Sequence, residues 1–359
     1  MPVSESIQQA AWRRLKKNKA AVFGMTVIIL SLAVAVLAYF IAPDGSPFAN
    51  RMTVEIGGKN PGYVQQFLLL KKEKLSPGNN FFMRLLYGRD DVYTWLPITS
   101  SQRQGDSIIV QKFIDDGIEE RMAFAVSQTA AQNIIVRKFL LGTDKYGRDI
   151  VSRLVVGTRV SLSVGFIAVI ISLTTGIVLG ALAGYFGGKT DDIIMWFINV
   201  IWSIPTLLLV FAITFLLGKG FWQVFIAIGL TMWVTVARIV RGQVLAVREL
   251  EYVEAARALG YPQGRIIFRH ILPNIAGPVL VVGASNFASA IVIEAGLSFL
   301  GVGVQPPQPS WGLMIKENYN FIITHNPMLA LAPGFAIMLL VLAFNLLGNG
   351  LRDALNVRS

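Results

Sequence analysis

The stretch VSLSVGFIAVIISLTTGIVLGALAGYF, residues 160–186, contains no charged residue. An α-helix needs about 20 apolar residues to cross the hydrocarbon core of a bilayer, so the stretch predicts a membrane-spanning helix. Five other segments of the chain have the same character, and together the six predict an all-α integral membrane protein. The other five are Ala20–Ala42, Ile193–Leu217, Phe221–Val240, Pro278–Leu300 and Met328–Leu347.

The composition agrees with a membrane protein. Of the 359 residues, 54% are hydrophobic and 15% are charged, whereas soluble domains carry about 25% charged residues. The formal net charge of +11 is scattered among apolar runs, which favours the basic bias of cytoplasmic loops over a nucleic-acid partner. The chain has no cysteine, and this excludes disulfides, zinc-thiolate sites and cysteine nucleophiles.

The start of the chain sets the predicted orientation. Residues 1–19 are read as a basic cytoplasmic N-terminus and residues 20–42 as the first transmembrane helix, because that apolar run exceeds the roughly 7–15 residues of a cleaved signal peptide. Residues 5–19 are interpreted either as a short interfacial helix, with Trp12 and Leu15 facing lipid, or as a solvated basic tail.

The short loops and tails show a strong charge asymmetry. With the N-terminus inside, the inside segments hold fourteen Lys and Arg residues and the short outside loops hold two, Lys219 and Lys316. This positive-inside bias places both termini in the cytoplasm. The fourteen are Arg13, Arg14, Lys16, Lys17, Lys19, Lys189, Arg238, Arg241, Arg248, Arg257, Arg265, Arg269, Arg352 and Arg358.

Residues 43–139 form a mixed-charge insertion after the first span, which the topology assigns to the outside. Turn signals at Asn60–Gly62 and Ser76–Asn79, a possible helix at Tyr63–Leu75 and strand-like runs at Ser107–Ile114 and Met122–Val126 predict a small α+β domain. The alternative is a partly disordered loop. Its apolar content argues against that alternative.

The sequence offers little enzyme chemistry, and we expect no cofactor and no metal site. Gly188-Lys189-Thr190 resembles the end of a phosphate-binding loop, but Ala183 stands where that motif needs its first glycine. The two histidines, His270 and His325, are far apart in sequence. The protein is therefore not interpreted as an enzyme.

Glu294 lies inside the fifth apolar segment. A carboxylate at membrane depth is costly and should face the bundle interior, a partner or water. It is interpreted either as a gate or pathway residue, or as a structural hydrogen-bonding group or a residue near the membrane interface, and the second, non-functional interpretation is favoured.

A charged segment, EYVEAARALGYPQGRIIFRHILPN (residues 251–274), interrupts the apolar chain. Its alanines and Leu259 favour a helix, Gly260 supplies a left-handed cap, and Pro262 forbids continuation. A second short helix, Gln263–His270, can follow until Pro273. The pattern predicts a rigid cytoplasmic helical hairpin, whereas the simpler alternative is a long surface loop.

This segment resembles the Glu-Ala-Ala loop in the permeases of bacterial ABC importers. Glu254-Ala255-Ala256, Gly260 and Leu272-Pro273 match its pattern, while His270 stands at the Ile position. Roughly residues 12–42 and 140–358 are similar to the C-type subunit of the dipeptide/oligopeptide branch. The stretches that carry this similarity are LGTDKYGRDIVSRLVVGTRVSL (141–162), GYFGGKTDD (184–192), SFLGVGVQPPQPSWG (298–312) and NLLGNGLRDALNVR (345–358).

The resemblance implies a type I importer permease in the bacterial cytoplasmic (inner) membrane. Helices 2–6 and the coupling loop at 241–276 would belong to a permease core at 140–359, and residues 43–139 would be an added extra-cytoplasmic domain. The implied partners are a homologous second permease, two ABC ATPase subunits, an extra-cytoplasmic solute-binding protein and the lipid bilayer. The residues implied in ATPase coupling are Glu251, Glu254, Ala255, Ala256, Arg257 and Gly260.

Three other functions stay open at this point. The permease could carry a non-peptide solute such as nickel. A secondary transporter would need ionisable residues or broken helices near the midplane, and Glu294 is the only acid well inside a predicted span. A membrane anchor for residues 43–139 would need only one or two spans.

Overall fold

The computed structural model describes residues 7–72, 80–218, 220–324 and 326–355. The predicted turn at Ser76–Asn79, Lys219, His325 and both chain ends lie outside the described residues. The chain forms two compact units. Unit 1 comprises Met1–Ser31, Ser161–Gln305 and Ile337–Ser359, and unit 2 comprises Leu32–Val160 and Pro306–Ala336.

Most of the described chain is helical, and all of the α-helices except α4 lie outside the insertion. Their bounds, in chain order, are α1 Ile7–Lys17, α2 Lys19–Val36, α3 Ala38–Ile41, α4 Phe81–Tyr87, α5 Ile150–Phe186, α6 Gly188–Trp202, α7 Thr206–Leu217, α8 Phe221–Val247, α9 Glu251–Ala258, α10 Gln263–Ile266, α11 Ala276–Phe299, α12 Trp311–Asn318, α13 Phe321–Thr324 and α14 Met328–Leu355.

Within the described residues, five helices (α2, α5, α8, α11 and α14) are long and apolar enough to cross a membrane, or six spans if the bent pair α6–α7 counts as one. The prediction of a multi-span helical protein is confirmed. The prediction of one unbroken helix over Ile193–Leu217 is wrong, because α6 and α7 meet at 92°. Pro205 lacks an N–H and disfavours a helical conformation at the residue before it, so the helix ends at this point.

The N-terminal helix α1 is present, but the predicted orientation of Leu15 is wrong. Leu15 is buried and packs with Ala21 and Ala354 in a small cluster of unit 1, whereas Trp12 is 49% exposed. Asn18 separates α1 from α2, and its Oδ1 accepts from the backbone N–H groups of two residues in the first turn of α2, both at 3.1 Å. The prediction failed because Leu15 meets residues near the C-terminus, which no local pattern reveals.

Helix α8 is the most deeply packed span of unit 1. Its residues Val224, Phe225 and Ile228 are fully buried among side chains of α5, α7 and α11. Further along, Val240 and Val244 join a second cluster that includes six buried residues between positions 253 and 275. One helix therefore links the apolar core of the spans to the charged segment that follows it.

The insertion folds as an antiparallel sheet of five strands in the described residues, in the order β4-β3-β2-β1-β5. The prediction of a helix at Tyr63–Leu75 is wrong, since Tyr63–Lys71 is the strand β1. It pairs with β2 on one side and β5 on the other, and these long-range pairings override local helix propensity. The strand-like runs at 107–114 and 122–126 are confirmed. The strands are β1 Tyr63–Lys71, β2 Tyr93–Gln104, β3 Ser107–Asp115, β4 Ile118–Ala125 and β5 Thr129–Phe139.

The two faces of the sheet differ in chemistry. One face carries the apolar cluster Leu68, Ile98, Ile108 and Val110. The other has an aromatic group in which Phe67 contacts the rings of Trp95 and Phe139 edge-on, at 5.5 and 6.4 Å. Two arginine guanidinium groups, from Arg51 and Arg137, lie over the Trp95 ring at 3.9 and 5.2 Å.

A buried ion network, which sequence reasoning did not single out, fixes the start of α5 in unit 2. Arg148 donates to Asp144 at 2.6 Å and to Glu317 of α12 at 2.8 Å, and Arg153 lies 3.3 Å from Glu317. Asp144 and both arginines are at most 1% exposed. Gly147 holds the turn at φ +72°, and a Cβ there would lie 1.7 Å from the carbonyl oxygen of Thr53.

We predict that this network stabilises unit 2 strongly. Glu317→Gln leaves two buried guanidinium groups without their shared charge, and breaking a buried pair costs about 3–5 kcal/mol. Thermal denaturation of the purified protein in nanodiscs should show a clear fall in Tm.

The matched control is Asp116→Asn. Asp116 pairs with Lys59 at 2.7 Å, but its side chain is 82% exposed, and surface pairs contribute about 1 kcal/mol or less. Equal Tm values for the two variants would contradict a stabilising role for the network.

Candidate functional site

The charged segment 251–274 forms a compact helical hairpin in unit 1, which we call the hairpin. Helix α9 covers Glu251–Ala258 and α10 covers Gln263–Ile266. A turn of π-helix at Ile267–Ile271 then continues towards α11. The predicted second helix is therefore present, in α-helical and then π-helical form, and the simpler interpretation as a long surface loop is wrong.

Gly260 makes the corner between the two helices. Its φ is +74°, as predicted, and few residues other than glycine adopt this conformation readily. The backbone N–H of Gly260 donates to the Arg257 carbonyl at 3.0 Å, and that of Tyr261 donates to the Ala256 carbonyl at 3.2 Å. These bonds satisfy the last carbonyls of α9. No other atom lies within 4 Å of a Cβ built at Gly260, so the backbone angle alone restricts this position.

One side of the hairpin packs inside unit 1. Val253, Ala256, Ile266, Ile271 and Ile275 are at most 4% exposed and join the cluster of α8. The side chain of Ala256 therefore packs against its own chain, so Ala255 is the alanine of the Glu-Ala-Ala sequence on the exposed face.

The opposite side of the hairpin faces outward. Glu251, Glu254, Ala255 and Arg257 are exposed. Apolar side chains extend this face, with Leu259 and Phe268 each 72% exposed, Leu250 46% and Tyr252 41%. The hairpin thus has an apolar inner side and an outer side of mixed charge and large apolar groups.

Aromatic and polar contacts hold the two halves of the hairpin and its turn together. The rings of Tyr261 and His270 stack at 6.0 Å, and the guanidinium of Arg265 lies 4.2 Å from the Tyr261 ring centre. Tyr252 donates its hydroxyl to the His270 carbonyl at 3.5 Å. Partial burial raises the pKa of the Tyr252 phenol.

Two arginines connect the end of α8 to the α5–α6 connection. Arg241 makes a bidentate pair with Asp191 at 2.5 and 2.6 Å. Arg248 donates to the carbonyl of Gly184 at 2.9 Å and to that of Tyr185 at 3.3 Å. Both contacts are charge-assisted and fix the helices from which the hairpin projects.

A groove opens among the spans of unit 1. It has a volume of about 540 Å³ and is bordered by α6, α7, α8, α11 and α14. Its polar lining is uncharged. Apolar residues such as Trp202 and Met232 complete it. The polar residues are Thr206, Thr231, Thr235, Ser285, Asn286, Ser289 and Asn345.

A second cavity of about 470 Å³ adjoins this groove and shares Thr235, Ser285 and Asn286 with it. It continues along the first turns of α11, with Gly277 and Pro278, to Arg352 of α14. Sequence reasoning missed these residues. The signal available to it was the recurrence of Ser, Asn and Ser at 285, 286 and 289, which places polar groups along one stripe of a span.

Glu294 is fully buried, and the lining of neither cavity includes it. Ser298, one turn later in α11, donates its hydroxyl to Glu294 Oε1 at 2.6 Å and accepts from the backbone N–H of Val304 at 3.1 Å. These contacts support the structural interpretation of Glu294, in which it fixes the chain that leaves α11.

Gly188, Lys189 and Thr190 form the first turn of α6 and directly follow α5. The strand that a phosphate-binding loop requires before its glycines is therefore absent at this place in the described chain. Among the described residues, no group of three or more His, Asp or Glu side chains could hold a metal ion.

Two protein families match separate parts of the chain. Residues 176–359 match the family described as "binding-protein-dependent transport system inner membrane component". Residues 6–52 match the "N-terminal TM domain of oligopeptide transport permease C". The chain is also similar to one subunit of the inward-facing MetNI methionine ABC transporter, with a TM-score of 0.47, 19% identity and coverage of 56% of this chain and 96% of that one.

Three relatives illustrate the similarity to curated proteins. The dipeptide transport system permease protein DppC of Alkalihalophilus pseudofirmus is 45% identical over 60% of this chain and 70% of its own length. The DppC proteins of Bacillus subtilis and Lactococcus lactis are 32% and 33% identical over 98% and 99% of this chain, and over 86% and 91% of their own lengths.

The matches to the DppC proteins of Bacillus subtilis and Lactococcus lactis cover nearly the whole chain and so include residues 43–139. The insertion therefore differs less from the family than the sequence indicated. The chain belongs to the inner-membrane components of binding-protein-dependent transport systems, as a C-type permease of the dipeptide and oligopeptide branch of the ABC importers.

Proposed function

We propose that this permease carries peptides through the groove of unit 1 and receives the drive for transport through the hairpin. Three of its relatives are named as dipeptide permeases. The observation that carries the proposal is the two-sided construction of the hairpin, which is packed on the inner side and exposed on the outer side. A mobile loop would lack the inner packing, and a simple core element would lack the outer face.

The hairpin acts as the joint with a cytoplasmic ATPase subunit. Glu251, Glu254 and Arg257 supply polar contacts and register, Ala255 allows close approach, and Leu259 and Phe268 offer apolar anchors. Closure of the ATPases biases the permease between inward-open and outward-open states only if hairpin contacts differ between those states. Because Ile266 and Ile271 tie the hairpin to α8, displacement of the hairpin displaces the span.

The working importer contains more than this chain. A homologous second permease covers the open side of the groove, because polar side chains at membrane depth require a partner or water. Two ABC ATPase subunits hydrolyse ATP, and an extra-cytoplasmic binding protein delivers the solute. The termini and the hairpin lie in the cytoplasm, and residues 43–139 lie outside, as the fourteen-to-two charge asymmetry favours.

The chemistry of the groove favours peptides over a metal solute such as nickel. Nickel prefers imidazole ligands, whereas the polar lining of the groove consists of hydroxyl and amide groups. Such groups both donate and accept hydrogen bonds, so they can pair with the backbone amides of a peptide whatever the charge of its side chains.

The first test of coupling compares two glycines of the hairpin. Gly260→Val forces a valine to adopt a φ of +74°, which strains the corner by about 1–3 kcal/mol. We expect peptide uptake and peptide-stimulated ATP hydrolysis to fall sharply in liposomes containing the whole importer. Gly264→Val is the matched control, because Gly264 lies within α10, has no positive φ, and no contact would obstruct a Cβ there.

Glu254→Lys tests the same joint through charge. It places the wrong sign on the outer face, where like charges in an interface cost several kcal/mol, and should uncouple hydrolysis from transport while the binding protein keeps its peptide affinity. Glu294→Gln should leave ATPase docking intact. Normal transport by both Gly260→Val and Glu254→Lys would show that the hairpin is not the joint.

The groove is tested by obstruction. Ser289 is exposed in the groove, so Ser289→Trp fills the cavity and should abolish peptide uptake in liposomes while the ATPases still co-purify. Leu342→Trp is the control, since Leu342 of α14 is 45% exposed and lies outside the lining. Unchanged uptake with Ser289→Trp would exclude the groove as the pathway.

The proposed topology can be read by single-cysteine labelling, because the chain has no cysteine. In intact cells, a membrane-impermeant maleimide should label Ser100→Cys in β2 and should leave Ser359→Cys unlabelled. After permeabilisation, both should react. Labelling of Ser359→Cys from outside would overturn the assignment of the C-terminus to the cytoplasm.

A further inference from the structure

Helix α4, in the insertion, leaves most of its apolar side chains uncovered. Its sequence is FFMRLLY, and none of its residues is buried. Contiguous apolar surface of this kind marks an interaction site on a folded protein. The exposed side chains are Phe81 (63%), Phe82 (73%), Met83 (48%), Leu86 (52%) and Tyr87 (59%).

The helix is held at the end of the first span. The rings of Phe40 in α3 and Phe81 in α4 lie 5.4 Å apart. Arg84, the one charged residue in α4, places its guanidinium 4.6 Å from the Phe40 ring centre, so the charge is turned towards α3. Phe40 stands two residues before Ala42, where the first apolar segment ends.

A second contact ties α4 to the start of another span. Arg159 of α5 donates to the carbonyl oxygens of Leu85 and Leu86 at 2.9 and 3.2 Å. These are carbonyls of the last turn of α4, where a cation also interacts favourably with the helix dipole. Arg159 directly precedes the uncharged stretch 160–186. The two residues that anchor α4, Phe40 and Arg159, therefore stand at the end of one apolar run and at the start of another.

The end of the first span, which α4 contacts through Phe40 and Phe81, also carries exposed apolar side chains. Val36, Leu37 and Ile41 are 54%, 44% and 49% exposed, as expected for a helix that faces lipid. On its other flank, the chain turns at Gly88 into Arg89, Asp90 and Asp91, and Asp91 pairs with Arg51 at 2.6 and 2.7 Å.

We propose that α4 is an interfacial helix that inserts its aromatic and aliphatic side chains into the phospholipid bilayer, at the headgroup boundary where α3 ends. Tyrosine favours this depth, and interfacial helices that carry Phe and Leu on one face bury that face about 5–10 Å into the boundary. The insertion is thereby attached to the membrane surface by lipid contact, independently of any protein partner.

The test places a fluorescent probe on α4 in the intact importer. Phe82→Cys, in an otherwise cysteine-free permease, is labelled with an environment-sensitive fluorophore and assembled into nanodiscs with partner subunits that lack reactive cysteines. Lipids that carry a nitroxide near the headgroup should quench most of the fluorescence, and lipids with the nitroxide at the chain end should quench less. Tyr87→Cys should give the same pattern and stands in if Phe82→Cys fails to assemble.

Two control positions calibrate the depth. Leu30→Cys, on the exposed side of α2 (60% exposed), should be quenched most by the deep nitroxide. Asp106→Cys, in the turn between β2 and β3, should be quenched by neither lipid. Absence of quenching at both α4 positions, or a photo-crosslinker at residue 82 that captures the second permease or the binding protein instead of lipid, would overturn the proposal.

Discussion

The rest of this structure depends on one constraint, that backbone N–H and C=O groups in the hydrocarbon core must find their partners within the chain. Helices satisfy it, and the break between α6 and α7 is the informative exception. There the backbone N–H and the hydroxyl of Ser203 bond back to Asn199 and Val200 at 3.0 and 2.7 Å. Trp202, Ile204 and Thr206 around the break line the groove. Irregular backbone at membrane depth is tolerated where it borders a cavity, so the break and the polar groove belong together.

Much of the fold could be predicted from sequence because long uncharged runs have few structural solutions. The failures share a cause. Polar and apolar residues alternate too weakly in Tyr63–Lys71 to predict a strand. This segment is a strand because it pairs with β2 and β5. Leu15 is buried by Ala354, which lies at the far end of the chain. In both cases a contact distant in sequence decides the outcome, and a local pattern carries no information about it.

The candidate site also combines features that local sequence predicts with features that depend on distant contacts. The helical hairpin and the positive φ of Gly260 could be predicted, because glycine followed by Pro262 two residues later is a local signal. Which face of α9 points outward could not, since the burial of Val253 and Ala256 depends on α8. The groove was missed altogether. It is assembled from five helices, and its serine, threonine and asparagine residues are individually unremarkable in apolar spans.

Some charged side chains of unit 1 are paired within the chain, and others are exposed on the hairpin. Arg241 is matched by Asp191 within the chain, and Arg248 by the Gly184 carbonyl. These contacts hold the end of α8 in place. On the outer face of the hairpin, Glu251 and Glu254 remain exposed. An exposed charge costs little to keep in water, and a partner of complementary charge would be steered to it and held in one register. The packing of the hairpin on α8 supports the proposed joint, because a displacement of the outer face would then also displace α8.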